Sequence, residues 1–350
     1  MRRDLGRLAQ RHFDVVVVGG GIYGACVAWE AVLRGCAVAL LEQGDFGHAT
    51  SSNSHKIVHG GFRYLQHADL ARMRQSIAER KHLMRIAPHL VHPQPFLLPT
   101  YRTGIQRQGL LRAALRFYDL FACDRNLDLR DPQKRIPPGR LVSRQECLRM
   151  APGLEDRGLT GGAIWYDGLI YNTERLTLAF VRSAVGEGAV AANYVRVHDL
   201  IEQHGGIAGV RAVDVLTGRS FDVRARVVIN TSGPWVNHLL RTTPRLRSAQ
   251  PLVRLTKVIS VVSRALTPGG CGLSVLVPHR GSRNGHHDGC CRRYHIVPWR
   301  GRSISGSLYR FAPDAEDRWA RPDDVERLLD DLNRAYPGAG LRPDDVCLLH

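Results

Sequence analysis

Phe13-Asp14-Val15-Val16-Val17-Val18 runs without a break into Gly19-Gly20-Gly21-Ile22-Tyr23-Gly24, and this stretch decides the fold. The apolar, β-branched run predicts a buried strand, and the segment Ala25 to Arg34 behind the glycines is compatible with a helix. A second apolar run, Ala37 to Leu41, ends on Glu42. Strand, Gly-x-Gly-x-x-Gly turn, helix and strand is the order of a dinucleotide-binding βαβ unit. In it Gly19 allows the tight turn, Gly21 lets the backbone approach a pyrophosphate, and Gly24 lets helix and strand pack closely. The helix N-terminus at Ile22 presents N–H groups and a partial positive charge to the phosphates. Glu42 follows at about the 20-residue spacing of a carboxylate that binds ribose hydroxyls, with Gln43 beside it.

The following residues decide which dinucleotide is bound. They read Ala49-Thr50-Ser51-Ser52, then Lys56-Ile57-Val58-His59-Gly60-Gly61-Phe62-Arg63-Tyr64-Leu65. This long and unusual run resembles the FAD-dependent glycerol-3-phosphate dehydrogenases, within the D-amino-acid-oxidase-like flavoproteins. Val227-Val228-Ile229-Asn230-Thr231-Ser232-Gly233-Pro234-Trp235 and Ile296-Val297-Pro298-Trp299 extend the resemblance from about residue 13 to about 345. The resemblance implies an α/β fold: a Rossmann-like FAD-binding domain with a second, mostly antiparallel β-sheet substrate domain with helices. The expected division is 10–87 and 166–243 for the FAD domain and 88–165 and 244–321 for the substrate domain, with 322–350 returning toward the FAD domain.

It also implies the chemistry. The expected activity is oxidation of sn-glycerol 3-phosphate to dihydroxyacetone phosphate, with FAD as cofactor and a quinone as acceptor. The alternatives are another hydroxy or amino substrate, or an inactive homologue. Such an oxidation needs a base for the hydroxyl proton while the flavin takes the carbon-bound hydrogen as hydride. His59 suits the base, because imidazole titrates near neutral pH. Arg63 would hold the phosphate through bidentate, charge-assisted bonds, and Tyr64 could add a hydroxyl contact. A spacing of four puts His59 and Arg63 on one face of a helix, but Gly60-Gly61 is equally compatible with a turn. Thr50, Ser51 and Ser52 suit the pyrophosphate. Lys56 either reaches the flavin or faces solvent. The resemblance places Thr231 and Gly233 close to FAD and the end of a strand near Val197 at the adenine; His59, Gly60 and Gly61 join the cofactor contacts.

Two departures from the family bear on substrate and retention. Gly306-Ser307-Leu308-Tyr309 stands where the family often shows Gly-Thr-Thr-Asp, which reopens the substrate. The sequence ends at His350, before the family's closing glycine turn, Pro segment and helix, so weakened flavin retention and low activity are expected of this chain.

Composition agrees. A chain of 350 residues with 44% hydrophobic content can bury a core, usually in two domains. The net charge of +17 favours acidic partners: a phosphorylated substrate, an anionic membrane surface or nucleic acid. No nucleic-acid motif stands out, and nucleic acid is not expected as a partner. No apolar run approaches the roughly 18 residues of a membrane span. The first dozen residues, basic and without a hydrophobic centre, read as a loose leader. Eight cysteines without disulfide spacing point to a reducing compartment, hence the cytoplasm, with the inner face of the plasma membrane as a docking surface.

Along the chain, helices are expected at Asp69 to Ala87, Leu110 to Cys123, Gln145 to Met150, Thr173 to Glu187 and Asp323 to Tyr336, and an extended segment over His89 to Tyr101. A strand over Gly188 to Val197 leads into a meander through Ile207 to Val215 and Phe221 to Ile229. Strands at Lys257 to Val262, Leu273 to Val277, Tyr294 to Val297 and Arg302 to Ser307 form a second sheet. His279, His286, His287, Cys290 and Cys291 lack the spacing of zinc ligands, so no metal is expected and Gly281 to Gly289 reads as a hairpin tip.

Overall fold

The opening apolar run forms strand β1 (Phe13–Val18) near the middle of a six-stranded sheet in the computed structural model, which describes residues 1–102, 108–243, 251–278 and 291–350. Strands β2 (Val38–Leu41) and β10 (Ser220–Asn230) lie parallel on either side of it. Strand β7 (Val190–Ala192) continues the parallel part beyond β2. On the other side β9 (Gly206–Asp214) and β8 (Val195–Gln203) continue as an antiparallel meander. Val16 and Val17 are fully buried, as a parallel strand covered on both faces requires. Helices α2 (Ile22–Leu33) and α6 (Thr173–Gly186) pack together, the Trp29 and Phe180 rings meeting edge to face with centroids 5.2 Å apart. Helix α7 (Val236–Thr242) follows the turn after β10.

The first dozen residues are not loose. They form helix α1 (Leu5–Gln10), which Asp4 caps by accepting the Arg7 N–H at 2.9 Å. Leu8 is fully buried in the same core as Phe13 and Ala225, and Arg3 pairs with Asp214. The basic charge of the segment concealed one well-packed leucine.

The second sheet runs in the order β15-β11-β14-β13-β12-β4-β6-β3. Its strands are β3 (Ile57–Val58), β4 (Val91–Tyr101), β6 (Leu159–Ile170), β11 (Leu255–Arg264), β12 (Gly272–Pro278), β13 (Cys291–Trp299), β14 (Arg302–Ala312) and β15 (Leu348–Leu349). A further strand, β5 (Arg140–Ser143), pairs with β6. One face of the sheet buries Leu273, Val275, Tyr294 and Ile296 with helices α5 (Arg144–Met150) and α8 (Pro322–Ala335). The other face carries Phe96, Trp165, Val262 and Val297, with Leu115 from helix α4 (Gln108–Phe121). Helix α3 (Leu70–Ile86) packs Met73 and Ile77 on Tyr118 and Ala122.

The chain divides into one unit of residues 1–54, 172–257 and 311–318 and another of 55–171, 258–310 and 319–350. These boundaries differ from the expected ones for two reasons. Ile57 and Val58 pair with Leu169 and Gly168 of β6, and α3 packs on α4, so residues 55–87 go with the second sheet. Helix α8 buries Leu328, Leu329 and Leu332 in that same core, so the last segment belongs there too. Helical periodicity identifies a buried stripe but not the partner that covers it. In α4, Leu115 and Tyr118 are buried while Leu120 is 69% exposed. The expected hairpin tip, with His279, His286, His287 and Cys290, lies outside the described residues.

Candidate functional site

The glycine turn of the first unit shows why each glycine is needed. Gly19 has φ +105°, and a Cβ there would stand 2.6 Å from the Thr231 carbonyl oxygen. A Cβ on Gly24 would stand 1.9 Å from the Gly19 carbonyl oxygen, so α2 could not pack on the turn. Gly21 differs. The one neighbour its Cβ would meet is Ser51 Oγ, at 3.1 Å, so packing does not demand a glycine here. The room lies beside the N-terminus of α2, where Gly21 is the N-cap residue without a capping side chain.

Around this turn the structure gathers several expected residues. Ser51 Oγ accepts the Ile22 N–H at 2.9 Å, which brings the Ala-Thr-Ser-Ser loop to the helix N-terminus. Thr231 N donates to Val18 O at 2.9 Å, and Thr231 Oγ1 lies within 3.0 Å of Gly19 O. Gly233, with φ +57°, starts the short 3-10 turn that follows. Glu42 is buried; its Oε2 accepts Gly20 N–H at 2.7 Å and its Oε1 accepts Gly44 N–H at 2.8 Å. His48 Nδ1 also lies 3.4 Å from Oε1, so Oε2 is the oxygen that keeps a lone-pair direction for a hydroxyl donor. Gln43 is half-buried and Thr50 exposed. Ser52 Oγ bonds back to the His48 and Ala49 carbonyls and so braces its own loop. Val197 does not end a strand: β7 stops at Ala192, and Val197 is the third residue of β8, in the antiparallel meander. Tyr194, at φ +53°, breaks what the sequence reads as one strand. A glycine turn with room at Gly21, a helix N-terminus and a ribose-ready carboxylate in one unit fit the adenine-dinucleotide part of FAD.

In the second unit β3 leads into Gly60-Gly61 and a 3-10 turn, Phe62–His67. Gly61 is left-handed at φ +78°, so His59 lies outside the helical turn and the turn reading, not the helical face, describes the pair. A buried polar network fixes this bend. Asp167 Oδ1 accepts the Gly60 N–H at 2.6 Å, and Tyr118 Oη donates to Gly60 O at 2.9 Å. Arg80, 1% exposed, donates to Tyr166 O at 2.6 Å and approaches Asp167 Oδ1 at 3.3 Å. Trp165 Nε1 donates to Asp167 Oδ2 at 3.1 Å. A Cβ on Gly60 would collide with Arg80 and Tyr118, both at 2.2 Å. Burial pushes the Tyr118 hydroxyl up to about 12, so it remains a donor.

His59 and Arg63 are left exposed at the edge of this locked turn. The His59 ring meets Tyr64 edge to face at 5.6 Å, and Arg63 Cζ lies 5.7 Å from the Tyr64 ring centroid. The His59 pKa is lowered, first by desolvation; Asp167 opposes this, and Arg63 and Arg80 add to it. The imidazole is therefore neutral at pH 7, as a base must be. Lys56 does not face solvent. It is 1% exposed, in the left-handed region at φ +57°, with Nζ 4.9 Å from the Trp299 ring centroid. The Lys-x-x-His-Gly-Gly and Pro-Trp stretches, far apart in sequence, meet there.

Sequence reasoning missed Arg80, Tyr118 and His55. Arg80 had a signal: it falls on the buried stripe of α3 with Met73, Ile77 and Met84, where a charge needs a partner. His55 Nε2 lies 2.8 Å from Ser260 Oγ and 3.3 Å from Ser307 Oγ, and burial with repulsion from His350 pushes its pKa down to about 4. Nothing in the local sequence announces those hydroxyl partners. Among the described residues no group of His, Cys, Asp and Glu could hold a metal.

The two units define a βαβ dinucleotide-binding protein with a second, largely antiparallel sheet. Residues 14–347 match the family described as FAD dependent oxidoreductase, and the chain belongs to that family. It is 30% identical over 352 residues to a glycerol-3-phosphate dehydrogenase from Synechocystis sp., covering 98% of this chain and 61% of the relative. It is 34% identical over 345 residues to an alpha-glycerophosphate oxidase from Lactococcus lactis, covering 97% and 54%. Among solved structures it resembles the glycerol-3-phosphate dehydrogenase from Bacillus halodurans complexed with FAD, at TM-score 0.71 and 26% identity, over 98% of this chain and 57% of that one. The chain thus spans little more than half the length of these relatives. L-proline dehydrogenase from P. horikoshii, at TM-score 0.66 and 17% identity, shares the fold.

Proposed function

We propose that this chain carries the FAD-binding and proton-accepting parts of an enzyme that oxidises sn-glycerol 3-phosphate to dihydroxyacetone phosphate and passes the electrons to a quinone. The observation that carries the reading is the locked Gly60-Gly61 turn, which leaves His59 and Arg63 exposed while Arg80, Tyr118 and Asp167 behind it are buried and paired. The names of the relatives support the substrate.

Gly19, Gly21, Ile22, Gly24, Glu42 and Ser51 would hold the adenosine diphosphate part of the cofactor, with Thr231 and Gly233 beside the turn. Bound FAD supplies a two-electron acceptor for the carbon-bound hydrogen. His59, neutral at working pH, takes the proton from the secondary hydroxyl oxygen on a ring nitrogen. Arg63 holds the phosphate and so fixes which hydroxyl meets the base, and Tyr64 orients the Arg63 plane. Lys56, packed on Trp299, adds fixed positive charge on the same unit.

A second reading, another hydroxy or amino substrate in the same chemistry, is favoured by Gly306-Ser307-Leu308-Tyr309. Anaerobic flavin bleaching with a panel of reductants separates the two. Loss of flavin colour with glycerol 3-phosphate supports the first; loss only with other compounds supports the second; none at all points to an inactive homologue.

For location we propose the cytoplasm, with docking on the anionic inner membrane face. Helix α4 exposes Leu110, Phe117 and Leu120 alongside Arg112 and Arg116, an apolar ridge flanked by cations. Among the described residues no helix is long and apolar enough to cross a membrane.

A further inference from the structure

The aromatic face of the second unit's sheet carries an unexpected polar group of side chains. In the strand register His295 of β13 stands opposite Ser274 of β12 and Gly306 of β14. Arg293, two residues earlier, shares its face. The His295 ring lies edge-on to Phe96 at 6.1 Å, Phe96 stacks on Trp165 at 5.5 Å, and Trp165 stacks on Phe62 at 5.6 Å. This run of rings leads to Phe62, and the next residue is Arg63. On the adjoining strand, Ser260 Oγ fills the space left by Gly306, 2.7 Å from where a Cβ would be, and bonds His55.

Two features of this group point to a ligand. Ser274 Oγ and His295 Nδ1 are buried without a hydrogen-bond partner among the described residues. Burial lowers the Arg293 pKa and the Arg63 charge adds to the effect, and neither arginine has a carboxylate partner among the described residues. Two guanidiniums without a counter-charge, beside an idle imidazole nitrogen, match an anion with several oxygens. Burial holds His295 neutral, with its pKa near 3, so that it can still offer one N–H without adding charge.

We propose that Arg293 and His295 form, with Arg63, the subsite that recognises the phosphate group of a phosphate-ester substrate. This rests on the substrate class proposed above and adds two specificity residues from a different strand. A tetrahedral dianion bridging Arg63 and Arg293 removes their mutual repulsion, while a neutral or zwitterionic substrate leaves it in place. Discrimination between glycerol phosphate and glycerol would then come largely from this pair.

The test is calorimetric titration of inorganic phosphate into the FAD-loaded protein, with the Arg293→Gln, His295→Phe and Arg292→Gln variants. Arg292 lies on the opposite face and pairs with Asp331, so its substitution removes the same charge as a control. The expected result is weakening by about tenfold or more in Arg293→Gln, the size of one charge-assisted interaction, with a smaller loss in His295→Phe and none in Arg292→Gln. Equal affinity in wild type and Arg293→Gln, or no phosphate binding by wild type, overturns the subsite. Flavin bleaching is scored separately. Arg293-dependent phosphate binding without bleaching by glycerol 3-phosphate keeps the subsite and sinks the substrate reading. Bleaching with an unchanged KM in Arg293→Gln does the reverse.

Discussion

Asp167 Oδ1 and the backbone N–H of Gly60 are 2.6 Å apart in the interior of the second unit, joining residues 107 positions apart in sequence. Arg80 lies against the same oxygen at 3.3 Å, so one carboxylate both neutralises a buried guanidinium and fixes the bend next to His59.

Removing either member of that pair strands the other. Asp167→Asn or Arg80→Met alone should cost about 3–5 kcal/mol in urea unfolding, and the double variant less than the sum. The Asp167 charge also raises the His59 pKa, against the larger effect of desolvation. In Asp167→Asn the acid limb of flavin reduction, already below pH 6.5, should therefore move to lower pH. Unchanged stability in both single variants, or a shift of the limb to higher pH, would remove the assigned role.

The glycine turn gives a paired prediction. Gly24→Ala places a methyl 1.9 Å from backbone and should prevent stable folding of the first unit. Gly21→Ala meets only Ser51 Oγ, so circular dichroism and Tm should stay near wild type while FAD binds about tenfold or more weakly. If Gly21→Ala binds FAD like wild type, the pyrophosphate does not lie at that residue.

Acid should destabilise the second sheet for a reason the pKa directions supply. Burial holds the His55 pKa at about 4 and His295 at about 3, below the unfolded value near 6.5. Between those values the unfolded chain binds more protons, so this contribution is whole above pH 6.5 and is lost as pH falls toward 4 and 3. Thermal unfolding followed from pH 7 to pH 4 should show Tm falling, and His295→Phe should flatten the curve. A Tm equally steep in that variant would show that other groups carry the effect.

The exposed ridge on α4 predicts binding to vesicles containing anionic lipid, weakened by added salt and by Phe117→Glu with Leu120→Glu. Flotation of both proteins with liposomes checks this. Equal flotation of the variant would assign any membrane contact elsewhere.

Much of the first unit was legible because its signals are local. Gly19, Gly21 and Gly24 act within a few residues of one another, and β1, α2 and β2 follow directly. The break between β7 and β8 was not, since left-handed Tyr194 carries no glycine or proline to mark it. In the second unit the resemblance proposes His59, Arg63 and Tyr64, but what fixes their turn was not legible. Arg80, Tyr118 and Asp167 come from two helices and a strand, and only tertiary contact brings them to Gly60. Lys56 shows the limit most plainly: its burial over Trp299 depends on a strand more than two hundred residues away.

The most direct measurement is the anaerobic visible spectrum of the protein mixed with FAD, recorded before and after addition of glycerol 3-phosphate. The expected result is saturable binding of one FAD per chain and loss of the flavin's visible band on adding the substrate. Protein that takes up no FAD at any concentration, or a bound flavin that glycerol 3-phosphate leaves fully oxidised, would contradict it.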